Sequence, residues 1–221
     1  MKGWYLLAGL LWFTPLAWAE LPPPVDFEVK PITAGELPKE LREVVGLMSP
    51  ENAFRANFLM STYSKGSTRP VNQKGRFTFD NAQGMLVQTI EPEKEALLIS
   101  QEGVFSLDTQ GKHHLAEDPG IFPKLREFFE GRFEQLASEA KLRFGTQDYQ
   151  WELIIEPESG TLAGRVTQMR LRGERGALLW VRIAEKDLTV TSIRLYSFQR
   201  FKHPLGETEF FYLAPVQDFI P

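Results

Sequence analysis

The 221-residue sequence contains no cysteine and only three histidines. The first absence excludes disulfides, thiolate nucleophiles, zinc-thiolate centres and a lipidated N-terminal cysteine. Two of the histidines, His113 and His114, are adjacent, and neighbours on a strand point to opposite faces, so one metal is not easily shared between them. The third, His203, sits in the loop Lys202 to Pro204 without a recognisable partner. A Gly-x-Ser-x-Gly elbow, a phosphate loop, a dinucleotide fingerprint and a His-Glu-x-x-His pair are all missing. So is a basic excess: 25 Lys and Arg against 29 Asp and Glu leave a formal charge of −4, which supplies no field for nucleic-acid phosphates. Glu91, Glu93 and Glu95 cluster around Pro92 as a charged turn between strands; spacing alone leaves a glycosidase-type acid pair open. These absences favour binding over catalysis, with no cofactor or metal expected.

Long hydrophobic runs are also lacking. The apolar stretch from Trp4 to Leu16 is too short to span a bilayer, and with Lys2 before it and Ala17-Trp18-Ala19 after it, it has the pattern of a cleaved secretory signal. Cleavage after Ala19 removes Lys2 and takes the formal charge from −4 to −5. The expectation is export to the periplasm, residues 20–35 forming an extended lead-in that contains Pro22, Pro23 and Pro24, and one domain over residues 36–221.

What the chain does have is alternation. Phe54, Ala56, Phe58 and Met60 interleave with Arg55, Asn57, Leu59 and Ser61, giving a strand with one apolar face. Phe77 with Phe79, then Met85 with Val87 beyond the turn Asp80 to Gly84, repeat the pattern. Strands are predicted around 53–63, 71–79, 85–90, 96–101, 104–108 and 112–116, and again around 142–144, 151–155, 166–172, 177–184, 189–198 and 208–213. Two helices accompany them. One covers residues 36–48, with Leu37, Leu41, Val44, Val45 and Met48 on one face; the other begins near Pro123, with Leu125, Phe128, Phe129, Phe133 and Leu136 apolar and Arg126 and Glu130 among its wet residues. The class is mainly β: an incomplete antiparallel barrel or strongly curved sheet of about eleven strands, its concave apolar face covered by helices, with a two-sheet sandwich as second choice. Phenylalanine is frequent, 17 residues, and many stand at inward positions, which fits either an ordinary core or a lined cavity.

The order of motifs resembles the periplasmic lipoprotein-carrier family LolA and its relatives. Ala53 to Phe58 carries F-x-A-x-F, Gly75 to Phe79 carries a glycine before alternating aromatics, Pro92 closes the third strand, and Leu97 to Ser100 precedes the turn at Gly103. The helix at 123–138 and Trp151, Leu153, Ile155 and Pro157 also fit, so the resemblance covers most of the mature chain. It implies an incomplete barrel with a helical lid over an apolar cavity that holds the acyl chains of outer-membrane lipoproteins. The partners it implies are an inner-membrane ABC transporter and an outer-membrane acceptor, and the chain is expected to be a monomer. One departure stands out. The family's Arg-Pro pair after the second strand, whose Arg helps close the lid, falls on Asn81 and Ala82 here, and an amide does not supply a charged fork of donors.

The residues expected to line the cavity are Phe54, Phe58, Phe77, Phe79, Met85, Val87, Leu98, Phe105, Trp151, Leu153 and Ile155 on strands, and Phe128, Phe129 and Phe133 on the second helix. None is assigned a catalytic role. Arg194, Arg200 and Lys202 alternate in phase with Tyr196 and Phe198, so a basic and aromatic face for a partner is a further expectation. A lipid-sensing or regulatory module of the same fold is the alternative reading, and an enzyme acting on lipid or glycan the third.

Overall fold

The structure is a computed structural model; it describes residues 27–32, 37–48, 53–107, 113–115, 126, 130 and 138–211. Twelve strands form one sheet: β1 (Lys30–Pro31), β2 (Ala53–Tyr63), β3 (Val71–Asp80), β4 (Gly84–Glu91), β5 (Glu95–Ser100), β6 (Gly103–Leu107), β7 (His113–Leu115), β8 (Ala140–Gln147), β9 (Gln150–Pro157), β10 (Val166–Glu174), β11 (Ala177–Glu185) and β12 (Val190–Phe201). All pairings are antiparallel, in the order β1-β8-β9-β10-β11-β12-β2-β3-β4-β5-β6-β7. The sheet is therefore two meanders joined where the last strand, β12, lies beside β2. It does not close, as an incomplete barrel does not. The described helices are α1 (Lys39–Met48), α2 (Gly160–Arg165) and α3 (Glu207–Phe210), and none is long and apolar enough to cross a membrane.

Alternation in the sequence becomes two faces because register keeps like with like. On one face, called inner here, Phe54 opposes Phe79, Phe77 opposes Val87, and Met85 opposes both Phe79 and Ile99. The same face continues the other way through Leu195 opposite Phe58, Ile193 opposite Val181, and Leu171 opposite Leu153. Glycines admit the largest rings. A Cβ at Gly75 would lie 2.7 Å from the Phe58 ring, and one at Gly173 would lie 2.3 Å from the Trp151 indole, so each ring rests directly on bare backbone.

Helix α1 is amphipathic and buries Leu41 and Val44 in this same cluster. Pro38 supplies the carbonyl for the first helical bond, from Arg42 N–H at 3.1 Å. Its last turn holds no basic residue, and the capping donor comes from the sheet: Arg200 Nη1 donates to Leu47 O at 2.7 Å while Nη2 donates to Gly176 O. Trp151 Nε1 bonds the next carbonyl back, Arg175 O, at 2.9 Å. The β10–β11 turn and the end of α1 are thus held together.

Several expectations are corrected. Thr208 to Leu213 was expected as a strand, but Glu207 to Phe210 is helical, with Phe210 N–H donating to Gly206 O at 2.8 Å. Helix α2 occupies part of a stretch expected to be turn. Of the second predicted helix only Arg126, Glu130 and Ser138 are described; Glu130 N–H donates to Arg126 O at 2.9 Å, as helix requires. Yet Arg126 and Glu130 are not wet: both are largely buried and paired with each other at 2.6 Å.

Candidate functional site

The inner face is the candidate site. Phe54, Phe58, Phe77, Phe79, Met85, Val87, Trp151, Leu153 and Ile155 all lie on it and belong to one continuous buried cluster with Leu41 and Val44 of α1. Two aromatic pairs set its texture. Phe54 stacks on Phe79 with centroids 5.5 Å apart, and Phe58 tilts against Phe77 at 4.9 Å; each such contact adds about 0.5–1.5 kcal/mol beyond burial. The polar residues on these strands accompany one end. There Thr62 meets Thr191 with hydroxyl oxygens 3.2 Å apart, both in phase with the inner residues of β2 and β12.

Leu98 and Phe105 do not belong to it. Leu98 opposes Leu86 and Phe105 opposes Leu98, so both side chains are out of phase with Ile99, which opposes Met85 and Val104 on the inner face. Leu98 instead packs in a second, outer cluster with Ala53, Leu86, Leu205 and Phe210. The physical reason is that Ala96 to Ile99 is apolar throughout, so that size suggested a phase which cross-strand register overrules. Phe128, Phe129 and Phe133 lie outside the described residues. Reasoning from the sequence missed Phe144, Met169, Leu171, Val181, Ile193 and Leu195, which extend the face; the same period-2 signal was present in their strands.

The outer cluster is anchored by Asp80. This carboxylate is fully buried and accepts three backbone N–H groups: Ala82 at 2.8 Å and Gln83 at 3.0 Å on Oδ1, and Leu205 at 2.8 Å on Oδ2. Gln83 Nε2 returns a bond to Leu205 O at 2.7 Å. Asn81 and Ala82, where the resemblance placed its Arg-Pro pair, are therefore part of a tight turn that docks the segment before α3. Arg55 fastens the other end of α3, donating to Glu209 O at 2.6 Å beneath the Phe201 ring.

The expected basic and aromatic stripe on β12 is split. Register shifts between Tyr196 and Gln199, and Ser197 adopts a left-handed φ of 53°. Arg194 and Tyr196 stay outer, whereas Phe198 packs against Phe54 and Arg200 caps α1. Burial pushes the Tyr196 phenol above its ordinary value, against the opposing pull of Arg194 and Arg76. Glu91 pairs with Lys74 at 2.7 Å, and no group of three or more metal-ligating side chains occurs among the described residues.

The fold and site together define an open antiparallel sheet with one continuous apolar face and one mixed face that carries both the outer cluster and most of the polar side chains. No protein-family model and no curated protein matches the chain. Among solved structures it is similar to a LolA superfamily protein from Nitrosomonas europaea, with a TM-score of 0.46, 11% identity, and coverage of 82% of this chain and 98% of the other. It is also similar to a DUF1329 family protein from Desulfovibrio piger, at a TM-score of 0.42 and 9% identity over 77% of this chain and 93% of the other. The MucA/MucB complex of Pseudomonas aeruginosa gives a TM-score of 0.43 and 12% identity over 76% of this chain, which spans 58% of that one.

Proposed function

We propose that this protein is a periplasmic carrier that takes the acyl chains of a lipoprotein, or a related acylated lipid, onto the inner face of its sheet and moves them from the inner to the outer membrane. The observation that carries the reading is the uninterrupted apolar face from β4 through β2 and β12 to β9, covered in part by α1. Away from the Thr62 and Thr191 end, an acyl chain entering here meets chiefly hydrocarbon side chains over several strand widths. The signal-like pattern of residues 1–19 supports export, and the transporter and acceptor are the membrane partners this reading expects.

Energetics suit a carrier. Each methylene taken out of water gains about 0.8 kcal/mol, so one long chain gains roughly 10 kcal/mol, close to what a bilayer returns. Net transfer is therefore nearly balanced, and direction comes from the partners. In this reading α1 is the element that moves: it seats Leu41 and Val44 on the inner face, and Arg200 holds its end.

The test is to purify the mature chain gently from a periplasm, measure its native mass, and extract what is bound. Acylated lipoprotein or lipid on the protein, lost when Phe58 becomes Glu in a folded variant, is the expected result. A ligand-free protein that also rejects added lipid would return the inner face to an ordinary core.

A further inference from the structure

The outer face of β9 to β12 has a chemistry the carrier reading does not use. Register sets Arg170, Arg182 and Ser192 in one row across β10, β11 and β12, since Arg170 opposes Arg182 and Arg182 opposes Ser192. In the next row stand Glu152, Arg172, Trp180 and Arg194. Two adjacent rows thus hold four guanidiniums and one carboxylate. Glu152 is buried and already engaged, by Arg170 Nη2 at 3.1 Å and by Arg172 Nε and Nη2 at 3.1 and 3.0 Å. Glu156, one row further along β9, is bonded by Gln168 at 3.1 Å. Arg194 lies over the Trp180 ring at 5.4 Å.

Three buried polar atoms in the first row have no hydrogen-bond partner among the described residues: Nε of Arg170, Nε of Arg182 and Oγ of Ser192. Neighbouring strands are about 4.8 Å apart, so the three residues leave backbones that span roughly 10 Å. Each unmade bond is costly, and like charges set directly opposite on adjacent strands are destabilising. All three atoms can donate, and the guanidiniums cannot accept. What completes such a row is a group that only accepts and carries negative charge. A carboxylate offers two oxygens in one plane and suits a single fork of donors, whereas a phosphoryl group offers oxygens in three directions, as donors arriving from three strands require.

We propose that Arg170, Arg182 and Ser192, flanked by Arg194, form a binding site for a phosphoryl group on the outer face. Free phosphate and the headgroup of an acidic phospholipid share this chemistry. The chain as a whole is acidic, so attraction at this place is local and owes nothing to net charge.

The mature chain is titrated with inorganic phosphate in a buffer free of other oxyanions, following arginine Nε–H resonances and Trp180 fluorescence. Saturable binding that moves the Arg170 and Arg182 resonances is expected. Arg182→Gln weakens it about tenfold and Ser192→Ala about threefold, while Arg69→Gln, which removes the same charge from an exposed loop, leaves it unchanged. Vesicles of phosphatidylglycerol, with phosphatidylcholine as reference, separate the sources. Association with the former, lost in Arg182→Gln, identifies a headgroup; phosphate binding without vesicle association identifies the free anion. Absence of saturable binding, or equal loss in the Arg69 and Arg182 variants, overturns the site. If Arg182→Gln does not fold, Ser192→Ala alone decides, because it removes no charge.

Discussion

Replacing Phe58 by Ala tests the packing of the inner face. The ring is fully buried, sits 4.9 Å from Phe77, rests on the bare backbone of Gly75 and opposes Leu195 across the β2–β12 junction that joins the two halves of the sheet. Truncation removes its transfer free energy and leaves a void that rigid strands on both sides do not fill, a combination that costs about 3–5 kcal/mol. In a chain of this size that lowers Tm by about 6–20 °C. Guanidinium unfolding of lipid-free protein, read by circular dichroism, should show a lower midpoint with an unchanged slope. Added fatty acid should restore part of the loss, because a ligand that binds only the folded state stabilises it. A cost below about 1 kcal/mol would refute the reasoning, since it would mean that the ring is not packed between β3 and β12.

Three further outcomes follow from named contacts. Asp80→Ala strands three backbone donors and should cost about 3 kcal/mol, seen as a Tm lower by about 6–12 °C, with Asp80→Asn milder. Arg200→Gln removes the guanidinium donor from Leu47 O in the last turn of α1; a solvent-exposed bond of this kind is worth about 1 kcal/mol, so exchange of the α1 amides should quicken roughly fivefold while the sheet amides stay protected. The Tyr196 phenol, held above its ordinary value near 10 by burial, contributes stability that is complete below that value and is lost as pH rises through the folded one. Tyr196→Phe should flatten the alkaline limb of a stability profile measured from pH 8 upward.

Strands with strict alternation were legible from the sequence. In β2 every second residue from Phe54 to Met60 is apolar against polar neighbours such as Arg55 and Asn57, and period alone assigns the face. Where apolar residues run together, as in Ala96 to Ile99 and in Val104 with Phe105, the phase is set by which residue meets Met85 and Ile99 across the sheet, and that is long-range information. The bulge at Ser197 was hidden for a related reason: nothing local marks a left-handed serine, and it reverses every side chain from Phe198 onward. Helix α3 looked like a strand because Phe210 and Phe211 adjoin other apolar residues. Its actual conformation is chosen by docking, through Asp80, Gln83 and Arg55, onto the outer cluster. The cap that Arg200 gives α1 joins residues 153 positions apart and left no signal in either segment.

The claim that the inner face receives an acyl chain is tested most directly by a fatty acid bearing a photoreactive group along its chain, bound to the mature protein, irradiated, and mapped by mass spectrometry. Adducts on inner residues such as Phe58, Phe77, Met85 and Leu153, with Leu98 and Leu86 unlabelled, are the predicted result. Labelling confined to the outer cluster, or a folded protein that takes up no probe, would contradict it.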